Sequence, residues 1–237
     1  MPTLLLVRHG RTAANATGQL AGWTPGVGLD DTGREHARAL GERLRGLPVV
    51  LAAVSPLQRC QETADELYAA AAWSDARRVT ADDLGECHYG AWTGRPLAEL
   101  ATEELWRTVQ DHPSRARFPD SPEHRAESIA DMAHRAVAAV RRLDRLVEAE
   151  QGPDALWVAV SHGDVIKAIV ADAAGTHLDH FQRFMAGPAS VSVIRYTAAR
   201  PFVIRTNDSG GDLSGLVPTR SADETPRGDA AVGGGTA

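Results

Sequence analysis

The sequence contains one lysine, two cysteines and no long uninterrupted apolar stretch, and each scarcity removes a class of protein. The lone Lys167 sits in DVIKAIV, so no GxxxxGK[ST] loop exists and a P-loop nucleotide site is excluded. Arginine carries almost all the positive charge, a bias that genomic base composition explains. Cys60 and Cys87 form no CxxC pair and stand at no metal-ligand spacing, which reads as two reduced, partly buried thiols rather than a disulfide framework or redox couple. A spanning helix needs roughly 18 consecutive apolar residues. The run Leu4-Leu5-Leu6-Val7 is much shorter, and Arg8 interrupts it before it could serve as a secretory h-region. A cytoplasmic protein with no membrane partner is therefore expected. The net charge of −6 leaves no general basic excess, so no nucleic-acid partner is expected either.

At 237 residues the chain can bury one good core. Its pattern alternates strand and helix. Thr32-Gly33-Arg34-Glu35 has the form of a capping box and predicts a helix running to Gly46, with Ala37, Leu40 and Leu44 on its apolar face. Val49 to Val54 reads as a second strand, followed by Ser55 as N-cap and Pro56 at the first helical position. Leu156 to Val160 repeats the pattern, with Ser161-His162-Gly163-Asp164 leading into a helix from Val165 to Ala174. Such alternation implies parallel pairing. The predicted fold is α/β, a three-layer sandwich with a mostly parallel central sheet, helices on both faces and a helical lid insertion. That lid comprises helices over Pro96–His112 and about 126–150, with a polar segment from Pro113 to Glu123 between them. Val191–Tyr196 and Phe202–Arg205 read as closing strands. Residues 1–206 then form one domain, and 207–237, rich in Gly, Ser, Asp, Pro and Thr, read as a disordered tail. There is no internal repeat.

Three strands end in polar clusters: Arg8-His9 after the first, Ser55 to Arg59 after the second, Ser161-His162 after the third. Ligands of open parallel sheets bind beyond the carboxyl ends of the strands, where these clusters can meet. Arg59 lies in the first turn of its helix, against the macrodipole, and helical side chains lean toward the amino end, which aims its guanidinium back toward Arg8. Two converging guanidiniums suit a dianion, and planar forks suit phosphate oxygens; the amides at the helix start near Gly163 can add to them. Zinc held by His9, His88 and His162 is disfavoured, because Arg8 and Arg11 flank His9 and oppose a dication.

Arg8-His9-Gly10, Asn15, Ser55-Pro56-Leu57 with Arg59, Glu86 before Tyr89-Gly90, and Ser161-His162-Gly163-Asp164 together resemble the histidine phosphatase superfamily, also called the phosphoglycerate mutase-like family. The likeness runs from about residue 4 to 196. It implies a metal-independent phosphatase that hydrolyses a small phosphomonoester through a phosphohistidine, with no cofactor and no metal. In that scheme His9 is the nucleophile, Arg8, Arg59 and His162 hold the phosphoryl oxygens, and Glu86 is the proton donor, with Asp82 and Asp83 as fallbacks. Asn15, Ala21 and Gly22 complete the substrate-binding set, and Asp164 reads as a helix-dipole partner. The partner is then a small phosphorylated molecule; a homodimer is compatible with the sequence.

Two departures from the family pattern bear on activity. Many members carry glutamate where this chain has Arg11, which here either draws a second anionic group or pairs with a loop carboxylate. Mutase members carry a lysine soon after the Tyr-Gly segment and paired lid arginines, whereas this chain has Thr93-Gly94-Arg95 and only Arg115 and Arg117. Hydrolysis is therefore favoured over phosphoryl transfer between isomers, with a silent phosphate-binding module as a third reading. The lid over 99–126 should choose the substrate; Trp92, Trp106 and Phe118 either stack on its organic part or pack the core.

Overall fold

The computed structural model describes residues 2–211 and Gly233. Six strands form one sheet: β1 (Thr3–Arg8), β2 (Val49–Val54), β3 (Arg77–Thr80), β4 (Leu156–Ser161), β5 (Val191–Arg195) and β6 (Phe202–Asp208), in the spatial order β3-β2-β4-β1-β5-β6. The pairs β1/β4, β2/β4 and β2/β3 are parallel, and β1/β5 and β5/β6 are antiparallel. Seven α-helices accompany them among the described residues: α1 (Ala13–Ala16), α2 (Asp31–Leu44), α3 (Gln58–Ala71), α4 (Leu97–Leu100), α5 (Glu104–Asp111), α6 (Ile129–Gln151) and α7 (Gly163–Ala173). None is long and apolar enough to cross a membrane.

Alternation along each strand divides the core. Leu4, Leu6, Leu51, Ala53, Trp157 and Ala159 face one side, where Met132, Ala136 and Val140 of α6 and Val165 and Ile169 of α7 cover them. Leu5, Val7, Ala52, Val54, Val158 and Val160 face the other, against Leu40 and Leu44 of α2 and Ala64 and Leu67 of α3. Central parallel strands buried on both faces have no solvent side, which is why they read as continuous apolar runs. Each buried Leu or Val contributes roughly 1.5–3 kcal/mol over its exposed state, so these two half-cores hold the strands in register.

Several local expectations change. The cap of α2 is Asp30, whose carboxylate accepts from the Gly33 amide, while Thr32 Oγ1 instead accepts from Arg11 Nη2 at 2.8 Å. The cap position of α3 is Leu57, with no side-chain capping bond; Ser55 is drawn away to His162. The helix expected over Pro96–His112 is broken into α4 and α5 by a turn at Ala101–Glu103. β3, RRVT, was not anticipated, and neither was α1, whose Thr12/Asn15 capping box closes a single turn. The last strand continues to Asp208, past the expected boundary at residue 206, and the remaining tail lies outside the described residues except for Gly233. The insertion is anchored on the sheet's core: Leu100, Trp106, Val109, Ala116 and Phe118 all pack into the half-core under α6.

The loop after β1 is pinned by a close backbone approach to α2. A Cβ on Gly33 would overlap the Arg11 carbonyl oxygen, and one on Gly10 would lie 2.5 Å from the Gly33 oxygen. No side chain fits between them. Gly33→Ala should therefore lower stability by about 1–3 kcal/mol, the usual cost of overpacking. The measurement is a urea melt: the midpoint falls with the slope unchanged, and an unaltered midpoint contradicts this packing.

Candidate active site

Strand register builds the site. Arg8 pairs with Ser161, and Val54 with Val160, so β1, β2 and β4 end level. The ladder continues beyond them: the His9 amide donates to Ser161 O at 3.0 Å, and the Ser55 amide to Val160 O at 3.0 Å. His9, Ser55 and His162 are thereby delivered side by side. The two imidazole rings stand 5.3 Å apart between centroids, tilted by 58°.

His9 is buried, and its Nδ1 lies 2.7 Å from the Gly10 carbonyl. A carbonyl only accepts, so Nδ1 carries the proton and the Nε2 lone pair accepts from Arg59 Nε at 3.3 Å. Burial holds the His9 pKa well below the ordinary imidazole value, and the Arg59 and Arg8 guanidiniums push it further down. The ring is neutral at physiological pH, with Nε2 rather than Nδ1 carrying the lone pair.

Arg59 projects from the start of α3 toward His9 and His162. Its Nη2 donates to Gly22 O at 2.9 Å and meets His162 Nδ1 at 3.2 Å, whereas Nη1 is a buried donor with no hydrogen-bond partner among the described residues. Arg8 is fully buried; its Nη1 donates to Ala186 O at 2.8 Å and Nη2 to Gly233 O at 3.3 Å. Burial lowers its pKa to about 10, still charged at neutral pH. His162 Nε2 is 2.7 Å from Ser55 Oγ, and burial, then Arg59, depresses its pKa well below normal. Cys60 lies close by, 3.5 Å from His162 Nε2, with its thiol pushed up to about 12 by burial, which makes it an inert packing group.

Glu86 closes the ring of charge. Its Oε2 stands 3.7 Å from His162 Nδ1 and 4.0 Å from Arg59 Nη2, while Oε1 accepts from the Cys87 amide at 3.0 Å. Burial, reinforced by the Asp164 carboxylate, lifts its pKa to about 7 against the opposing pull of Arg59 and Arg8. Arg135 of α6 holds the backbone that carries it, donating to the carbonyls of Asp83, Gly85 and Glu86 at 2.8–2.9 Å. Ser161 Oγ fixes the same segment through Leu84 O at 2.7 Å.

A cavity of about 30 Å³ opens between these groups, lined by His9, Arg59, Glu86, Asn15, Ala21 and Gly22 among others. Arg8 and His162 support that wall from behind rather than lining it, and Gly233 stands between Arg8 and the cavity. Asn15 lines it too, but its side-chain oxygen is occupied by Thr12, so the expected role as a free donor narrows to its amide nitrogen. Asp82 and Asp83 do not line it; Asp83 pairs with Arg142 at the surface. Arg11 takes the loop-carboxylate option, binding Asp30 at 2.8 Å. Trp92, Trp106 and Phe118 are core, packed on one another. A larger groove of about 460 Å³ between α6 and α7 contains none of the catalytic candidates.

Sequence reasoning missed Arg135, because the backbone carbonyls that it holds at residues 83–86 lie about fifty residues away. It also missed the buried set Tyr89, Asp164 and Lys167. The Tyr89 hydroxyl donates to Asp164 Oδ2 at 2.9 Å, and Lys167 Nζ stands 3.6 Å from Oδ1. An acid and the chain's sole lysine at i, i+3 within the apolar helix GDVIKAIVADA was the available signal.

The profile of the histidine phosphatase superfamily (branch 1) matches residues 4–209, and the chain belongs to that superfamily. A 2,3-bisphosphoglycerate-dependent phosphoglycerate mutase 2 of Gloeobacter violaceus is 33% identical over 181 residues, 76% of this chain and 77% of the relative. An uncharacterized phosphatase, PhoE, of Bacillus subtilis is 27% identical over 175 residues, 74% of this chain and 79% of the relative. Among solved structures, Bacillus stearothermophilus YhfR superposes with a TM-score of 0.75 at 26% identity, covering 88% of this chain and 98% of the other. A phosphoserine phosphatase from Entamoeba histolytica, at 22% identity and a TM-score of 0.73 over 88% and 98% of the two chains, shares the fold.

The protonation state of His9 is directly measurable. At about pH 6, where an ordinary imidazole is mostly cationic, ¹⁵N NMR should show His9 neutral and protonated at Nδ1. Arg59→Met should raise its pKa by removing the nearest cation. A charged His9 in the wild-type spectrum at that pH contradicts the geometry.

Proposed function

We propose that the chain is a metal-independent phosphatase acting on a small phosphomonoester through a phosphohistidine. The observation that carries this reading is the pinned, neutral His9 on the cavity wall, its Nε2 accepting from Arg59 Nε at 3.3 Å, beside the buried Arg59 Nη1, which has no hydrogen-bond partner among the described residues. An anion with three equatorial oxygens suits that donor and the positive potential of Arg8 and Arg59.

In the first step the Nε2 lone pair forms an N–P bond as the P–O bond to the alcohol breaks, and Glu86 gives its proton to the departing oxygen. In the second, water attacks phosphorus, the Glu86 carboxylate takes its proton, and the N–P electron pair returns to Nε2 as inorganic phosphate leaves. A carboxyl group whose pKa is near 7 can serve in both directions. Positioning and charge neutralisation supply most of the remaining acceleration.

Hydrolysis is favoured over mutase-type transfer because two of the cations suited to a second phosphate are engaged elsewhere. Arg95, after the Tyr-Gly segment, binds Glu103 at 2.6 Å, and Arg117 of the insertion pairs with Asp131 at 3.7 Å. The mutase identity of the Gloeobacter relative keeps transfer as the second reading.

A panel of phosphomonoesters assayed in EDTA tests both. Free phosphate should be the product, with an acid-labile phosphoenzyme that His9→Ala abolishes; isomer formation without free phosphate identifies a mutase instead. Wild-type turnover by His9→Ala overturns the mechanism. Glu86→Gln should slow alkyl esters on the order of 10²-fold or more and 4-nitrophenyl phosphate much less, since a good leaving group needs no proton. Where phosphoryl transfer to His9 limits the rate the acid must be protonated, so kcat for alkyl esters should fall as pH rises through about 7, while depressed His9 leaves the acid side flat below the usual imidazole range.

A further inference from the structure

Two carboxylates, not one, are buried around the cationic cradle. Glu86 is 3% exposed and Asp164 is 1% exposed. Their surroundings differ. Asp164 Oδ2 accepts from the Tyr89 hydroxyl and from the Gly233 amide, both at 2.9 Å, and the Lys167 ammonium faces Oδ1 at 3.6 Å. The Glu86 carboxylate has one hydrogen bond among the described residues, from the Cys87 amide, and its nearest cation is 4.0 Å away. Glu86 and Gly233 line the cavity, and Asp164 stands one step behind that wall, bonded to the Gly233 amide and to Tyr89 of the Glu86 segment. Two buried acids so placed repel when both are charged, and the proton favours the one with fewer donors.

We propose that Asp164, fixed by the Tyr89 hydroxyl, is a positioning residue that keeps Glu86 in its proton-donating form at neutral pH. The inference rests on the reading of Glu86 as the acid. Tyr89 lies three residues after Glu86, so one short segment bears both the acid and the hydroxyl that orients its counterpart. Arg135 and Ser161 clamp that segment, which makes the spacing a built feature.

Other groups face Glu86 from every side. Arg8 and His9 come from the end of β1, Arg59 and Cys60 from α3, His162 from the end of β4, Lys167 from α7 and Arg135 from α6; Glu127, which pairs with Arg135 at 2.6 Å, lies behind, and Cys87, His88 and Tyr89 share its own segment. The arginines pull Glu86 toward ionisation. After burial itself, Asp164 is the largest influence in the opposite direction.

The experiment is an infrared pH titration of the full chain, following the C=O stretch of the protonated Glu86 carboxyl, assigned by its loss in Glu86→Gln. The wild-type midpoint should lie near 7. Asp164→Asn should lower it by about half a unit or more, since a neighbouring charge is removed. The alkaline limb of kcat should move by the same amount. Tyr89→Phe, which takes a donor from Asp164 and should fold if Asp164→Asn does not, should give a smaller shift in the same direction. A midpoint unmoved in every folded variant, with kcat lowered equally at all pH, is what a merely structural role produces and overturns the proposal. If the wild type releases phosphate from no ester yet the midpoint still shifts, the hydrolase reading fails and the coupling of the two acids stands.

Discussion

Two guanidiniums, Arg8 and Arg59, are buried beside a neutral imidazole, and the rest of the molecule is arranged to tolerate that. Desolvating a cation costs several kcal/mol, and two cations in one pocket also repel. The carbonyls of Ala186 and Gly22 satisfy part of each fork, and Glu86 and Asp164 offset part of the charge. The compensation is incomplete at Arg59 Nη1. Apolar fillings of such a site are often the more stable choice, and the residual positive potential is what the proposed phosphoryl group would meet.

That arrangement depends on the register of three parallel strands. β4 inserts between β1 and β2, and because all three end level, the residues one step beyond them converge without long loops. The antiparallel β5 on the far side of β1 brings Ala186, whose carbonyl holds Arg8, up to the same edge. A slip by one residue would exchange the two half-cores and turn His9 away from the crevice. Packing of Leu4, Leu6, Leu5 and Val7 on opposite faces therefore fixes the chemistry as well as the fold.

Much of this was legible in the sequence because the signals were local. Apolar runs ending in polar clusters locate β1, β2 and β4, and they bring His9, Arg59 and His162 to one edge of the sheet. What escaped was set by tertiary competition. Ser55 reads as a helix cap but finds a better partner in His162, and Thr32 gives up its capping box to Arg11. β3 is four residues with no apolar run and exists because β2 offers it an edge. Arg135 and the Tyr89–Asp164 bond join segments roughly fifty to seventy-five residues apart, and no spacing rule reaches that far.

The central claim is that the His9 Nε2 lone pair faces the phosphorus of a bound phosphoryl group within the cradle of Arg59 and Arg8. A crystal structure with orthovanadate tests it most directly. The account requires vanadium bonded to His9 Nε2, with Arg59 Nη1 donating to an equatorial oxygen and Glu86 beside the apical oxygen opposite. Vanadate seated on other side chains, with His9 Nε2 turned away from the metal, would contradict it.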